Sequence, residues 1–182
     1  IGGLFDLLKS LYGISVVEKS GEVWNPSVKL YELKDRSDHL IGYFYMDLFA
    51  RDGKRPGAWM DDAVGRWKTD RHIQLPVAYL VCNFPSAMTD SSDAYLSHNE
   101  VETLFHECGH VMHHLMTQID ELGISGINGV EWDAVELPSQ FMENFCWDWS
   151  IIKKISRDVS GIGHMPESLF KKMVEAKNFM SG

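Results

Sequence analysis

Apolar residues along this chain keep helical spacing in some stretches and gather into short strand-like runs in others. Leu4, Leu7, Leu8 and Leu11 stand at helical spacing ahead of Gly13, which predicts a short helix over residues 4–12. Ile14 to Val17, Val28 to Leu33 and Ile41 to Phe49 are runs rich in β-branched and aromatic residues, and they predict the strands of a small sheet. Gly53 to Gly57 reads as a turn, and residues 59–67 are too mixed to assign. Val77 to Cys82, preceded by Pro76, predicts a further strand, and Pro85 to Ser97 a polar, serine-rich loop.

The clearest periodic element begins at Ser97. Ser97 and Glu100 form the S-x-x-E pattern of a capping box, and a long helix should follow. Val101, Leu104, Phe105, Cys108, Met112, Leu115 and Ile119 lie in one apolar stripe on it. Gly123, Gly126 and Gly129 punctuate the next connection; they follow a helix and lack G-x-G-x-x-G spacing, so they predict a flexible substrate-facing loop rather than a phosphate cradle. Ala134 to Trp149 and Pro166 to Phe179 predict two more helices, with Trp132, Trp147 and Trp149 in helix packing. The fold class is then α+β, mainly helical, in a single segment 1–182: a helix plus small sheet over 1–97, and helices over 98–182.

With 45% hydrophobic and 24% charged residues, the composition is that of an ordinary globular protein. A formal net charge of -9 lacks the basic surface that phosphate binding needs, so nucleic acid is not an expected partner. No apolar run approaches the roughly 18 residues of a membrane span. Three cysteines without a CxxC pair point to neither a disulfide framework nor a cysteine metal site. A reducing compartment is expected, cytoplasmic or the matrix of an organelle. The chain runs from Ile1 to Gly182, just past an amphipathic pattern. It is expected to be a piece of a longer protein whose N- and C-terminal parts lie outside it.

The chemistry concentrates at His106-Glu107-Cys108-Gly109-His110, an H-E-x-x-H within the long helix. Residues i and i+4 lie about 40° apart around a helix, so both imidazoles can meet one ion. They stand opposite the apolar stripe, which argues against core histidines. Glu107 can reach a metal-activated water, for which a closed structural site would have no use. A third protein ligand is required, and the extended metzincin pattern fails because residues 113 and 116 are His and Met. Glu131, Asp133, Glu136 and Glu143 are the candidates from the following helix. Glu136, Gln140 and Glu143 share one helical face, so Glu136 is chosen as ligand and Glu143 as acceptor of a histidine Nδ1–H. Asp133 is placed beside the site, with helix N-cap as its competing role, and His113 near the metal face. Pro138 must occupy the first turn of its helix or kink it.

Leu104 to His114 and Glu131 to Asn144 resemble the two ligand helices of the M3 family of zinc oligopeptidases, the thimet oligopeptidase and oligopeptidase A group. Gly42 to Leu48, Gly57 to Asp62 and Pro76 to Phe84 are similar to its oligopeptidase A branch, so the resemblance runs through nearly the whole chain. It implies a zincin-like core with one Zn2+ held by His106, His110 and Glu136. It also implies Glu107 as general base to a zinc-activated water, and an intracellular endopeptidase limited to short peptides. Cys108 replaces the commoner Phe of the motif and falls on the core stripe, which predicts a packing change. Asn99 stands where the family usually has Asp. The family's helical N-terminal half and its Tyr- and His-rich C-terminal segment are not in this chain.

Two rivals remain at this point. A truncated, inactive zinc- or peptide-binding module would keep the ligands without turnover, and an aminopeptidase would need a G-x-M-E-N block that the chain lacks. The Val77 to Cys82 strand is expected at a sheet edge, where an extended peptide could pair with it; a central position is the alternative.

Overall fold

The structure, a computed structural model, describes residues 1–85, 94–157 and 163–179. Helix α1 (Gly2–Tyr12) buries Leu4, Leu7 and Leu8 and closes at Gly13 in the left-handed region, φ 69°. Among the described residues seven strands follow: β1 (Ser15–Lys19), β2 (Lys29–Lys34), β3 (Leu40–Phe49), β4 (Trp59–Val64), β5 (Trp67–Lys68), β6 (Ile73–Gln74) and β7 (Val77–Phe84). Five of them form a mixed sheet in the order β1-β2-β3-β7-β4, and β5 pairs with β6 apart from it. All pairings in the larger sheet are antiparallel except β3 with β7, where Tyr43 faces Val77 and Tyr45 faces Tyr79.

This order overturns the expectation for residues 77–82. β7 is central, and the edge falls to β4, drawn from the stretch left unassigned. Burial explains the exchange: Ala78, Leu80, Val81, Cys82 and Phe84 of β7 are all buried, whereas β4 carries exposed Asp61 and Asp62, charges that suit an edge.

Helices α2 (His98–Leu115), α3 (Leu137–Glu143), α4 (Trp149–Ile155) and α5 (Glu167–Asn178) follow, giving five helices and a small mixed sheet among the described residues, an α+β arrangement. One face of the sheet, with Leu33, Phe44, Met46, Leu80 and Cys82, packs on α1 and α2 through Leu4, Leu8, Leu104, Phe105, Cys108 and Leu115. The other face carries exposed Trp24 with half-buried Tyr45 and Tyr79 in mutual ring contact. Near the end of β3, buried Asp47 accepts hydrogen bonds from the two terminal Arg51 guanidinium nitrogens, at 2.6 and 2.8 Å, from Lys54 Nζ at 2.8 Å and from Trp24 Nε1 at 3.0 Å. Lys54 Nζ also donates to the Phe49 and Cys82 carbonyls, so the predicted turn over 53–57 is tied to β3 and β7 together.

Three further expectations need correction. The helix forecast over 134–149 is broken: turns occupy residues 132–136, α3 passes into a 3-10 turn over Asn144–Trp147, and Asp148 starts α4 by accepting the Ser150 N–H at 2.7 Å. An extended Asp148 cannot continue a helix. The apolar stripe of α2 stops short of Ile119, which lies beyond the last turn and is exposed. Trp147 and Trp149 do pack, against His98 and Phe170 respectively, but Trp132 is 92% exposed. Of the loop expected over 85–97, residues 86–93 lie outside the described residues.

Candidate metal centre

The site is built on α2. Its first turn is fixed by the capping box, in which Ser97 N–H donates to Glu100 Oε2 at 2.7 Å and Ser97 Oγ accepts the Glu100 N–H. With the stripe of Leu104, Phe105, Cys108 and Leu115 buried against the sheet, His106 and His110 project from the other side, ring centroids 5.0 Å apart. That side is only partly open to solvent: α3 lies across it and His110 is buried, while the side chains of His106 and Glu136 keep 26% and 49% exposure.

Gly109 makes the covering possible. A Cβ at this position would stand 2.5 Å from the Pro138 carbonyl oxygen and 2.6 Å from Ser139 Cα, so only a glycine lets the start of α3 come this close. Pro138 occupies the first turn of α3, where its missing N–H costs nothing. Glu136 immediately precedes α3, and its Oε2 lies 3.2 Å from His106 Nε2 and 3.1 Å from His110 Nε2. Ligand atoms of the three residues all fall within 4.8 Å of one another. Four-coordinate zinc with bonds of 2.0–2.2 Å spaces its ligand atoms about 3.3 to 3.5 Å apart, so the set fits such an ion with little adjustment.

His106 Nδ1 lies 2.5 Å from Glu143 Oε1, so this carboxylate anchors the ring through Nδ1 and leaves Nε2 facing Glu136 Oε2. With Nδ1–H donating to Glu143, a neutral ring presents its Nε2 lone pair toward Glu136, an arrangement that a shared cation fits. Burial lowers the His110 pKa, and the Ser139 hydroxyl is the largest of the causes that lower that of Glu136, against the opposing effect of its burial. Among the described residues His110 Nδ1 has no hydrogen-bond partner.

Glu107 is buried on the same helix, and burial raises its carboxyl above the ordinary value; the Glu136 charge adds to this, while His106 and the Met60 N–H of β4 oppose it. His113 lines an apolar cavity of about 500 Å³ with Met112, Met116 and Ile124, and its charge is felt at His110. Asp133 is exposed in the turn before α3 and caps no helix; residue 136 holds that place.

Two further residues stand close by: Ser139, which sequence reasoning missed, and His114, which it expected to back a ligand or line the cleft. Ser139 is fully buried and donates to Glu136 Oε2 at 2.8 Å; its S three places after an acid was a readable clue. His114, also fully buried, meets the Val64 carbonyl of β4 through Nε2 at 2.9 Å and accepts the Ile127 N–H at Nδ1. It thereby ties the glycine-punctuated loop to the sheet edge, and nothing local in the sequence distinguishes it from His113.

The sequence pattern of peptidase family M3 matches residues 1–182. Oligopeptidase A of Escherichia coli (strain K12) is 49% identical over 183 residues, covering 100% of this chain and 27% of that protein. The organellar oligopeptidase A, chloroplastic/mitochondrial, of Arabidopsis thaliana is 42% identical over 187 residues, covering 99% of this chain and 24% of its own length. The probable cytosolic oligopeptidase A of the same plant is 41% identical over 186 residues, at 98% and 26%. The chain thus spans about a quarter of the length of the curated relatives it matches.

Proposed function

The chain belongs to peptidase family M3, and from that premise we propose that it is the zincin-like catalytic core of a zinc metalloendopeptidase that hydrolyses short peptides. His106, His110 and Glu136 are the ligands of one zinc ion, with Glu107 as general base. One observation carries this reading: a single oxygen, Glu136 Oε2, stands 3.1 and 3.2 Å from the Nε2 atoms of His110 and His106.

When bound, the ion supplies Lewis acidity toward a water and the peptide carbonyl. The rest falls to the protein's own side chains. Glu107 takes the proton of the attacking water and delivers it to the departing amine, and its raised pKa brings it nearer the working pH of a general base. Glu143 holds the His106 ring in one tautomer and one orientation. An extended substrate backbone pairs with the free edge of β4, the strand whose Met60 N–H already meets Glu107.

The enzyme acts on peptides as part of the longer protein, in the cytoplasm or an organellar matrix; no helix among the described residues is long and apolar enough to cross a membrane. Glu107→Gln should keep zinc at the parent's stoichiometry and abolish cleavage of quenched peptides. Unchanged turnover would refute the role given to Glu107. Substrates blocked at either end separate an endopeptidase from an aminopeptidase. Because the chain is only 27% of the length of its Escherichia coli relative, a second reading stands beside the first: a zinc-holding module that needs the remaining chain for turnover. Stoichiometric zinc without cleavage at any peptide length favours it.

A further inference from the structure

Glu136 is the weakly held member of the candidate triad. His106 and His110 are fixed by a long, packed helix, but Glu136 sits before the first turn of α3 with its side chain 49% exposed. A long acidic side chain in that setting has many rotamers, and binding an ion would have to freeze them. Besides the two imidazoles it faces, one hydroxyl among the described residues is bonded to it. The Ser139 hydroxyl lies 2.8 Å from Glu136 Oε2, the same oxygen that faces both imidazoles.

We propose that Ser139 is a positioning residue for the third ligand, its hydroxyl holding Glu136 Oε2 at the metal position before an ion arrives. The inference rests on the zinc-centre reading and adds to it the residue that preorganises the carboxylate. Three features support it. Ser139 is fully buried, so its hydroxyl does not trade this bond for water. Its backbone is wedged against Gly109, with the Cα only 2.6 Å from where a Cβ there would stand, so the hydroxyl is fixed relative to the helix that carries both histidines. Oε2 keeps a second lone pair for the ion, because the hydroxyl uses only one.

A competing role is visible in the same geometry. Ser139 Oγ also lies 2.9 Å from the Glu136 carbonyl, so the hydroxyl could serve only to bond the first turn of α3. A bond of that kind supports the helix with or without metal. Preorganisation of the carboxylate acts on the affinity for metal instead.

The test compares the parent 182-residue chain with Ser139→Ala, Ser139→Thr and Ser139→Val. Zinc affinity is measured by chelator competition, the Co2+ absorption spectrum reports ligand geometry, and melting is followed in the metal-free state. Ser139→Ala should bind zinc about 10- to 100-fold more weakly and show an altered Co2+ spectrum, at a metal-free melting temperature close to the parent's. Ser139→Thr should recover most of the affinity and Ser139→Val should not; this pair differs only in the hydroxyl and decides the matter if the alanine variant does not fold. Parent-like zinc affinity in Ser139→Ala, or equal affinities in the Thr and Val variants, overturns the inference. A loss of metal-free stability that accounts for the whole loss of affinity also overturns it, in favour of the helix-capping role. A parent chain that binds no zinc overturns the metal-centre reading itself, an outcome distinct from the others.

Discussion

Adding one methyl group at Gly109 should disable the site from a position that carries no ligand. The new Cβ would lie 2.5 Å from the Pro138 oxygen, 2.9 Å from the Pro138 carbonyl carbon and 2.6 Å from Ser139 Cα. All three are backbone atoms of the α3 start, so no flexible side chain can swing aside. Ordinary contact requires at least 3.4 Å, and the start of α3 must therefore retreat by about 1 Å. Two opposing terms set the stability change. Alanine improves the helix by about 0.5–1 kcal/mol, whereas overpacking against a rigid neighbour costs about 1–3 kcal/mol, so Gly109→Ala should be destabilised by roughly 1–2 kcal/mol. The metal term is larger. Metal bonds tolerate about 0.2 Å, so a retreat several times that distance takes Glu136 out of reach and leaves two histidines. Zinc affinity should fall by at least about 100-fold. Urea melts and chelator competition on the parent, Gly109→Ala and the control Gly123→Ala, where a Cβ meets nothing within 4 Å, measure both terms. Gly109→Ala with parent-like stability and zinc affinity would refute the reasoning.

Asp47 should shape the acid limb of stability. Burial alone would raise its pKa, but hydrogen bonds from Arg51, Lys54 and Trp24 overcome this and hold it at about 2. A carboxylate whose folded pKa lies below its unfolded value contributes fully above the unfolded value, and the contribution is lost as pH falls from about 4 to about 2. The amount is about 2 kcal/mol; urea melts at pH 6, 4 and 2.5 should show it in the parent, and an equally steep fall in Asp47→Asn would argue against it. His114→Ala should cost about 2–4 kcal/mol by leaving the Val64 carbonyl and the Ile127 N–H unpaired around a cavity. Hydrogen exchange should then speed up at Ile127 far more than in β3, and uniform exchange changes would contradict the latch.

Local patterns read from the sequence were those that depend on one element at a time. The α1 stop at Gly13, the capping box of α2 and the strands β1, β2, β3 and β7 follow from periodicity, caps and β-branched content. Misreadings occur where two elements compete. Apolar residues in β7 looked alike whether central or marginal, and its place was decided by a partner, β4, whose Asp61 and Asp62 disguised it as irregular. The run from Ala134 to Trp149 has helical periodicity, yet Asp148 bonds to Ser150 in preference to continuing it.

The candidate site divides along the same line. The i, i+4 spacing of His106 and His110 is a property of one helix, legible without coordinates. The meeting of Glu136 with those rings is not, because it is decided by a backbone contact at Gly109, a residue that in the sequence is only an unassigned place between Cys108 and His110. The same contact seats Ser139 and, one α3 length further, brings Glu143 to His106. A single missing side chain therefore governs the proposed third ligand, its hydroxyl partner and the acceptor behind the first histidine. Gly109→Ala should consequently disturb all three together, whereas Ser139→Ala should affect only the Glu136 arm.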